Sequence, residues 1–117
     1  MFQPGTPELM PYTKTLLQAV AKIIDQLPNR IAISGHTDGK AFEGANGMTN
    51  WELSAGRANA ARAEITAAGV NSDQIYEVAG KAGSEPLLPE DPLAPANRRI
   101  SIVLLREAPP VPPGHKL

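Results

Sequence analysis

The stretch Arg30-Ile31-Ala32-Ile33-Ser34-Gly35-His36-Thr37-Asp38 decides the fold. Ile31 and Ile33 alternate with small or polar neighbours, the period of a strand with one face on a core, and the run ends at Gly35. His36-Thr37-Asp38 then stands at the C-terminal end of the strand. Upstream, the apolar residues Tyr12, Leu16, Ala19, Val20, Ile23 and Leu27 recur at spacings of three and four, with Lys14, Gln18, Lys22 and Asp25 between them. That spacing predicts an amphipathic helix. Pro11 fits its first turn, where a missing amide donor costs nothing, and Pro28 closes it. Phe2 to Met10 are left as a lead-in, with Phe2 at the start of a short edge strand.

Downstream, residues 39–48 form a glycine-rich loop, and Thr49-Asn50-Trp51-Glu52 matches a capping box, in which Thr49 and Glu52 satisfy each other's backbone donors. The helix that begins there runs through Leu53, Ala60, Ala61, Ile65 and Ala68 and stops at Gly69. Residues 74–80 suggest a further strand, and residues 81–96, with four prolines, a loop able to hold a helical turn. Arg99 to Leu105 is the clearest strand. The order strand, helix, strand, helix, strand, loop, strand predicts an α/β (α+β) chain. Its expected form is a two-layer sandwich in which a mixed four-stranded sheet carries helices on one face. The domain is expected to span residues 1–106. Residues 107–117, with Pro109, Pro110, Pro112 and Pro113, read as an extended, mobile tail.

The composition narrows the function. A chain of 117 residues can close one core without metals or disulfides, and it contains no cysteine, which removes a zinc ribbon or a thiol nucleophile. The net charge of −1, with 11 basic and 12 acidic residues interspersed, offers no field to gather nucleic acid. No apolar stretch approaches the roughly 20 residues that cross a bilayer. An export or anchoring segment, if the protein works outside the cytoplasm, is expected in residues that this chain lacks.

Two features carry the chemistry: Gly35-His36-Thr37-Asp38 at a strand end, and Asn50 to Ala58 at a helix start. On a helix, positions 50, 54 and 57 share a face, so Asn50, Ser54 and Arg57 can point together toward the loop after Asp38. The planar fork of Arg57 matches a carboxylate and Asp38 accepts from an ammonium, so the pair could hold a zwitterionic amino-acid centre. A plain ion pair between Asp38 and Arg57 fits the same spacing, and spacing alone does not decide.

Gly35-His36-Thr37-Asp38, Asn50, Leu53-Ser54, Arg57-Ala58 and Asn97-Arg98-Arg99-Ile100 together resemble the OmpA-like peptidoglycan-binding domains, over roughly residues 2–105. Within that family, Asn50-Trp51-Glu52-Leu53-Ser54 and the long 39–48 loop are more similar to the flagellar-motor stator proteins than to outer-membrane lipoproteins or porins. The resemblance implies non-catalytic binding of the peptidoglycan peptide stem at its diaminopimelate centre. Asp38 and Arg57 would bind that centre, assisted by Asn50 and one arginine of the 97–99 motif. Arg98 is the choice over Arg99, because alternation sends the two to opposite faces. Thr37, Leu53 and Ser54 complete the expected site. It further implies a periplasmic domain of an inner-membrane protein, a homodimer of that domain, and a MotA-like membrane partner reached through an absent N-terminal segment. No cofactor, metal or catalytic residue is expected.

Other readings of the same residues are weaker. His36 and Asp38 could begin a metal site, but the only other histidine is His115 in the tail. His36 is expected to hydrogen-bond at the strand end and orient the loop. Ser54 has no histidine base in the pattern, so nucleophilic catalysis is improbable and a polar pocket wall is the expected role. Trp51, the lone tryptophan, is expected to pack against its own loop rather than stack on a sugar. A lipoprotein or porin domain that tethers the outer membrane is the first rival function, and a wall hydrolase the second.

Overall fold

The computed structural model describes Phe2, residues 6–39 and residues 49–105. The elements run α1 (Pro11–Asp25), β1 (Ile31–His36), α2 (Asn50–Ala67), β2 (Ile75–Gly80) and β3 (Arg99–Leu104), with short 3-10 turns at Ser72–Gln74 and Pro95–Asn97. Among the described residues the sheet has three strands in the order β2-β1-β3, not four. β1 pairs parallel with β2 and antiparallel with β3, so the sheet is mixed. The expected edge strand at Phe2 is reduced to one antiparallel bridge with Leu9. The proline-rich tail and most of the 39–48 loop lie outside the described residues.

The pairing register sorts the side chains. Ile31, Ile33 and Gly35 stand opposite Leu104, Ile102 and Ile100 on β3, and Ile33 and Gly35 stand opposite Val78 and Gly80 on β2. This face carries the helices. Ile31 and Ile33 are fully buried in a core with Leu17, Ala21 and Ile24 of α1 and Ala58, Ala61 and Ile65 of α2. The other face presents Ala32, Ser34 and His36 beside Val103, Ser101 and Arg99.

α2 begins as its sequence directs. Glu52 accepts from the Thr49 amide at 2.8 Å and also contacts the Thr49 hydroxyl, closing the capping box. Beyond its end, Gly69 takes a φ of +116°, which glycine adopts without a side-chain clash. The helix lies directly on two paired glycines. A Cβ on Gly35 would stand 2.1 Å from the Ser54 carbonyl oxygen, and one on Gly80 would stand 2.5 Å from the Ala55 nitrogen. The notch formed by these glycines lets the helix backbone approach the strands within van der Waals distance.

α1 is an amphipathic helix whose buried stripe is Thr13, Leu17, Ala21 and Ile24. Tyr12, Leu16 and Ile23 are exposed, Ile23 at 63 %. The apolar repeat read along the sequence is therefore mostly the stripe beside the core-facing one, turned by roughly one residue. The C-terminal end of α1 is fixed by Gln74, whose amide donates to the carbonyls of Ile24, Leu27 and Asn29 at 2.8–3.2 Å. The Ile24 carbonyl also accepts from the Leu27 amide at 2.9 Å, so Gln74 reinforces the turn that ends the helix.

Candidate functional site

The site lies where the C-terminal end of β1 meets the start of α2. Thr37 and Asp38 leave the strand, and the Thr37 amide donates to the Ala82 carbonyl at 2.9 Å while its hydroxyl donates to the Asp38 carbonyl at 3.0 Å. Ser54 lies beneath the site. Its fully buried hydroxyl donates to the Trp51 carbonyl and accepts from the Ala82 amide, both at 3.0 Å. The serine thus ties α2 to the segment after β2 instead of presenting an open hydroxyl in the wall. Ala82, gripped from both sides, has a φ of +50°, a left-handed conformation that costs about 1 kcal/mol or more outside glycine.

Asp38 accepts from Arg98 at 2.7 Å, an ion pair in which the carboxylate is largely covered and the guanidinium half-exposed. Arg98 reaches Asp38 because β3 begins one residue later. Arg99 faces the other way, beside His36, and donates to the Glu85 carbonyl at 3.0 Å. The segment between β2 and β3 is held by Asn97, which is fully buried. Its side-chain oxygen accepts from the Leu88 amide at 2.8 Å and its amide donates to the Asp91 carbonyl at 2.9 Å. The same segment reaches the site loop, where the Gly39 amide donates to the Pro92 carbonyl at 2.7 Å. Asn97 and the two arginines after it thus divide their work: one residue fixes the loop, one faces Asp38, and one faces the opposite side of the sheet.

Arg57 is 8 % exposed, and a buried guanidinium requires partners. Its Nε donates to the Thr6 carbonyl at 2.9 Å, and its guanidinium carbon lies 4.9 Å from the centre of the Phe2 ring. Burial pulls its pKa down, the nearby Arg98 adds to that, and Asp38 opposes both. Arginine nevertheless stays protonated at any physiological pH. Asp38, Arg57 and Arg98 therefore form one electrostatic neighbourhood of two cations and one anion. Asn50 is half-buried at the first position of α2, and Leu53 is buried.

His36 differs from what the sequence suggests. His36 is 5 % exposed, and its Nδ1 has no hydrogen-bond partner, so it does not orient the loop through that atom. Trp51 is exposed, and the loop on which the sequence predicts it to pack, residues 40–48, lies outside the described residues. The sequence reading did not single out Phe2 and Thr6 as neighbours of Arg57. No local pattern announces a contact made 51 residues away in the chain.

A mixed sheet, two helices on one face, and a carboxylate and a guanidinium at the strand-to-helix junction define the class. The chain belongs to the OmpA family, whose model matches residues 1–99. Among individual relatives, it is 41 % identical over 108 residues to the Motility protein B of Escherichia coli K12, covering 92 % of this chain and 35 % of that protein. The chain therefore spans about a third of that relative's length. In structure it resembles the C-terminal domain of Helicobacter pylori MotB, with a TM-score of 0.79 at 23 % identity over 92 % of this chain and 84 % of that one. A MotB like protein from Desulfovibrio vulgaris matches with a TM-score of 0.78 at 29 % identity, over 92 % and 70 % of the two chains.

Proposed function

We propose that this domain grips the peptide stem of peptidoglycan and thereby anchors a flagellar-motor stator to the cell wall, without catalysing a reaction. The observation that carries the reading is the placement of Asp38, held by Arg98, in one neighbourhood with the buried Arg57. In this reading Arg57 takes a carboxylate of the diaminopimelate centre, and Asp38 accepts from its ammonium. Arg98 and Asn50 assist them, and Thr37 holds the loop that carries Asp38. Leu53 and Ser54 support the site from below.

Charge-assisted hydrogen bonds contribute about 1.5–3 kcal/mol each, so one stem would be held specifically but reversibly. Firm anchoring then requires several domains acting at once, which a homodimer of the domain provides. The whole protein would sit in the inner membrane with this domain in the periplasm, next to a MotA-like membrane partner. The kinship with a motility protein favours this setting over a lipoprotein or porin tether. Co-sedimentation with purified peptidoglycan tests the proposal. The folded chain should pellet with the wall and Arg57→Ala should stay in solution; a folded wild-type chain that does not pellet would refute it.

A further inference from the structure

The lead-in before α1 touches Arg57 at two points and the neighbouring Gly56 at a third. The Phe2 ring lies 4.9 Å from its guanidinium carbon, the Thr6 carbonyl accepts from Nε at 2.9 Å, and Pro7 packs on Gly56, where an added Cβ would stand 3.2 Å from the proline Cβ. An isolated antiparallel bridge joins Phe2 to Leu9. We propose that Phe2 and the Thr6 carbonyl are part of the binding site, acting as positioning elements for Arg57. The inference rests on the peptide-stem reading above.

Arginine has two edges on which a carboxylate can dock with two parallel bonds: Nε with one Nη, or the two Nη together. With Nε given to Thr6, the side-on edge is not available to a carboxylate. The aromatic ring covers a flat face of the guanidinium, where its negative quadrupole attracts the cation and excludes water without competing for the in-plane donors. Together the two contacts set the direction of the fork before any ligand arrives. Orientation established in advance lowers the ordering cost of binding. Lysine at position 57 would keep the charge but lose both the fork and the Nε anchor.

The test uses the 117-residue chain with the synthetic tripeptide L-alanyl-γ-D-glutamyl-meso-diaminopimelate, measured by calorimetry, and the Arg57 Nε–H resonance measured by NMR without ligand. Phe2→Leu keeps the apolar bulk and removes the π face, whereas Phe2→Tyr keeps both. Expected are a threefold to fivefold weaker affinity for Phe2→Leu, within the range that a cation–π contact supplies, and recovery in Phe2→Tyr. The Nε–H resonance should carry the ring-current shift of Phe2 in the wild type and lose it in Phe2→Leu, with circular dichroism unchanged. Unaltered affinity and an unaltered Nε–H resonance in Phe2→Leu would overturn the inference. A wild-type chain that ignores the tripeptide but shows the ring-current shift would instead refute the peptide-stem reading while leaving the positioning contact established.

Discussion

α1 and α2 reach the core by opposite means. α1 is held by side-chain volume: Leu17, Ala21 and Ile24 enter the core, while Tyr12 and Leu16 stay outside. α2 is held largely by the absence of side chains. Gly35 and Gly80 open a notch under Ser54 and Ala55, and Ala58 and Ala61 are fully buried farther along. A helix seated on glycine and alanine has almost no freedom to shift, because backbone meets backbone. The proposed site residues Asn50 and Arg57 sit on α2, which suits the proposed binding, whose donors must be fixed to within a fraction of an ångström. The more tolerant attachment belongs to the helix that carries no site residue.

The sharpest way to break this contrast is to fill the notch. Gly35→Val should cost more than about 4–5 kcal/mol or prevent folding, because its Cβ collides with the Ser54 carbonyl and only movement of the helix relieves it. Urea unfolding monitored by circular dichroism reads this directly. Leu17→Ala, the corresponding lesion on α1, should cost about 2–5 kcal/mol and leave a folded chain with tripeptide affinity near that of the wild type. If Leu17→Ala lost binding as completely as a change in the notch, the two helices would not differ in the way described.

Smaller effects sharpen the comparison at the site. Arg57→Ala should weaken tripeptide binding by roughly tenfold to a hundredfold, the equivalent of about 1.5–3 kcal/mol, by calorimetry. Arg98→Ala should change stability by less than about 1 kcal/mol, since its half-exposed ion pair is screened by solvent.

A further prediction concerns pH. Burial first, and then Arg99, hold the pKa of His36 below its ordinary 6.5; Lys81 acts in the same direction and Glu85 opposes. The unfolded chain therefore takes up a proton near pH 6.5 that the folded chain refuses until lower pH. Stability should fall as pH drops below about 6.5 and level off once the folded imidazole also charges. Urea midpoints at pH 7.5 and 5.5 should differ in the wild type, and the difference should shrink in His36→Gln. Glu52, whose carboxylate is held below its ordinary 4.5 by Thr49, acts only in a lower window. The smallest effect is expected on the outer stripe of α1. Leu16→Gln and Ile23→Gln should each fall within about 0.5 kcal/mol of the wild type, since neither side chain is in the core.

Much of this was legible in the chain itself. The strand ending at Gly35, the capping box at Thr49 and Glu52, the stop at Gly69 and the strand after Arg98 all appear near where local patterns placed them. These features depend on contacts between residues a few positions apart, which a sequence displays. The facing of α1 was not legible. Two apolar stripes run side by side along it, and only the shape of α2 and the sheet chooses Leu17 over Leu16. The fourth strand was overread at Phe2, because an apolar residue before a turn resembles a strand start until its hydrogen bonds are followed.

The sequence by itself determined the order of α1, β1, α2, β2 and β3 and the residue types at the end of β1 and the start of α2, since periodicity, capping and charge are local properties. Tertiary structure alone decided which side chains meet. Strand register turned Arg98 to Asp38 and Arg99 to His36, and the glycine notch locked Ser54 beneath the site. Closure of the lead-in placed Phe2 and Thr6 on Arg57. Such contacts join residues tens of positions apart, and their geometry exists only once the sheet has paired and the helices have settled on it.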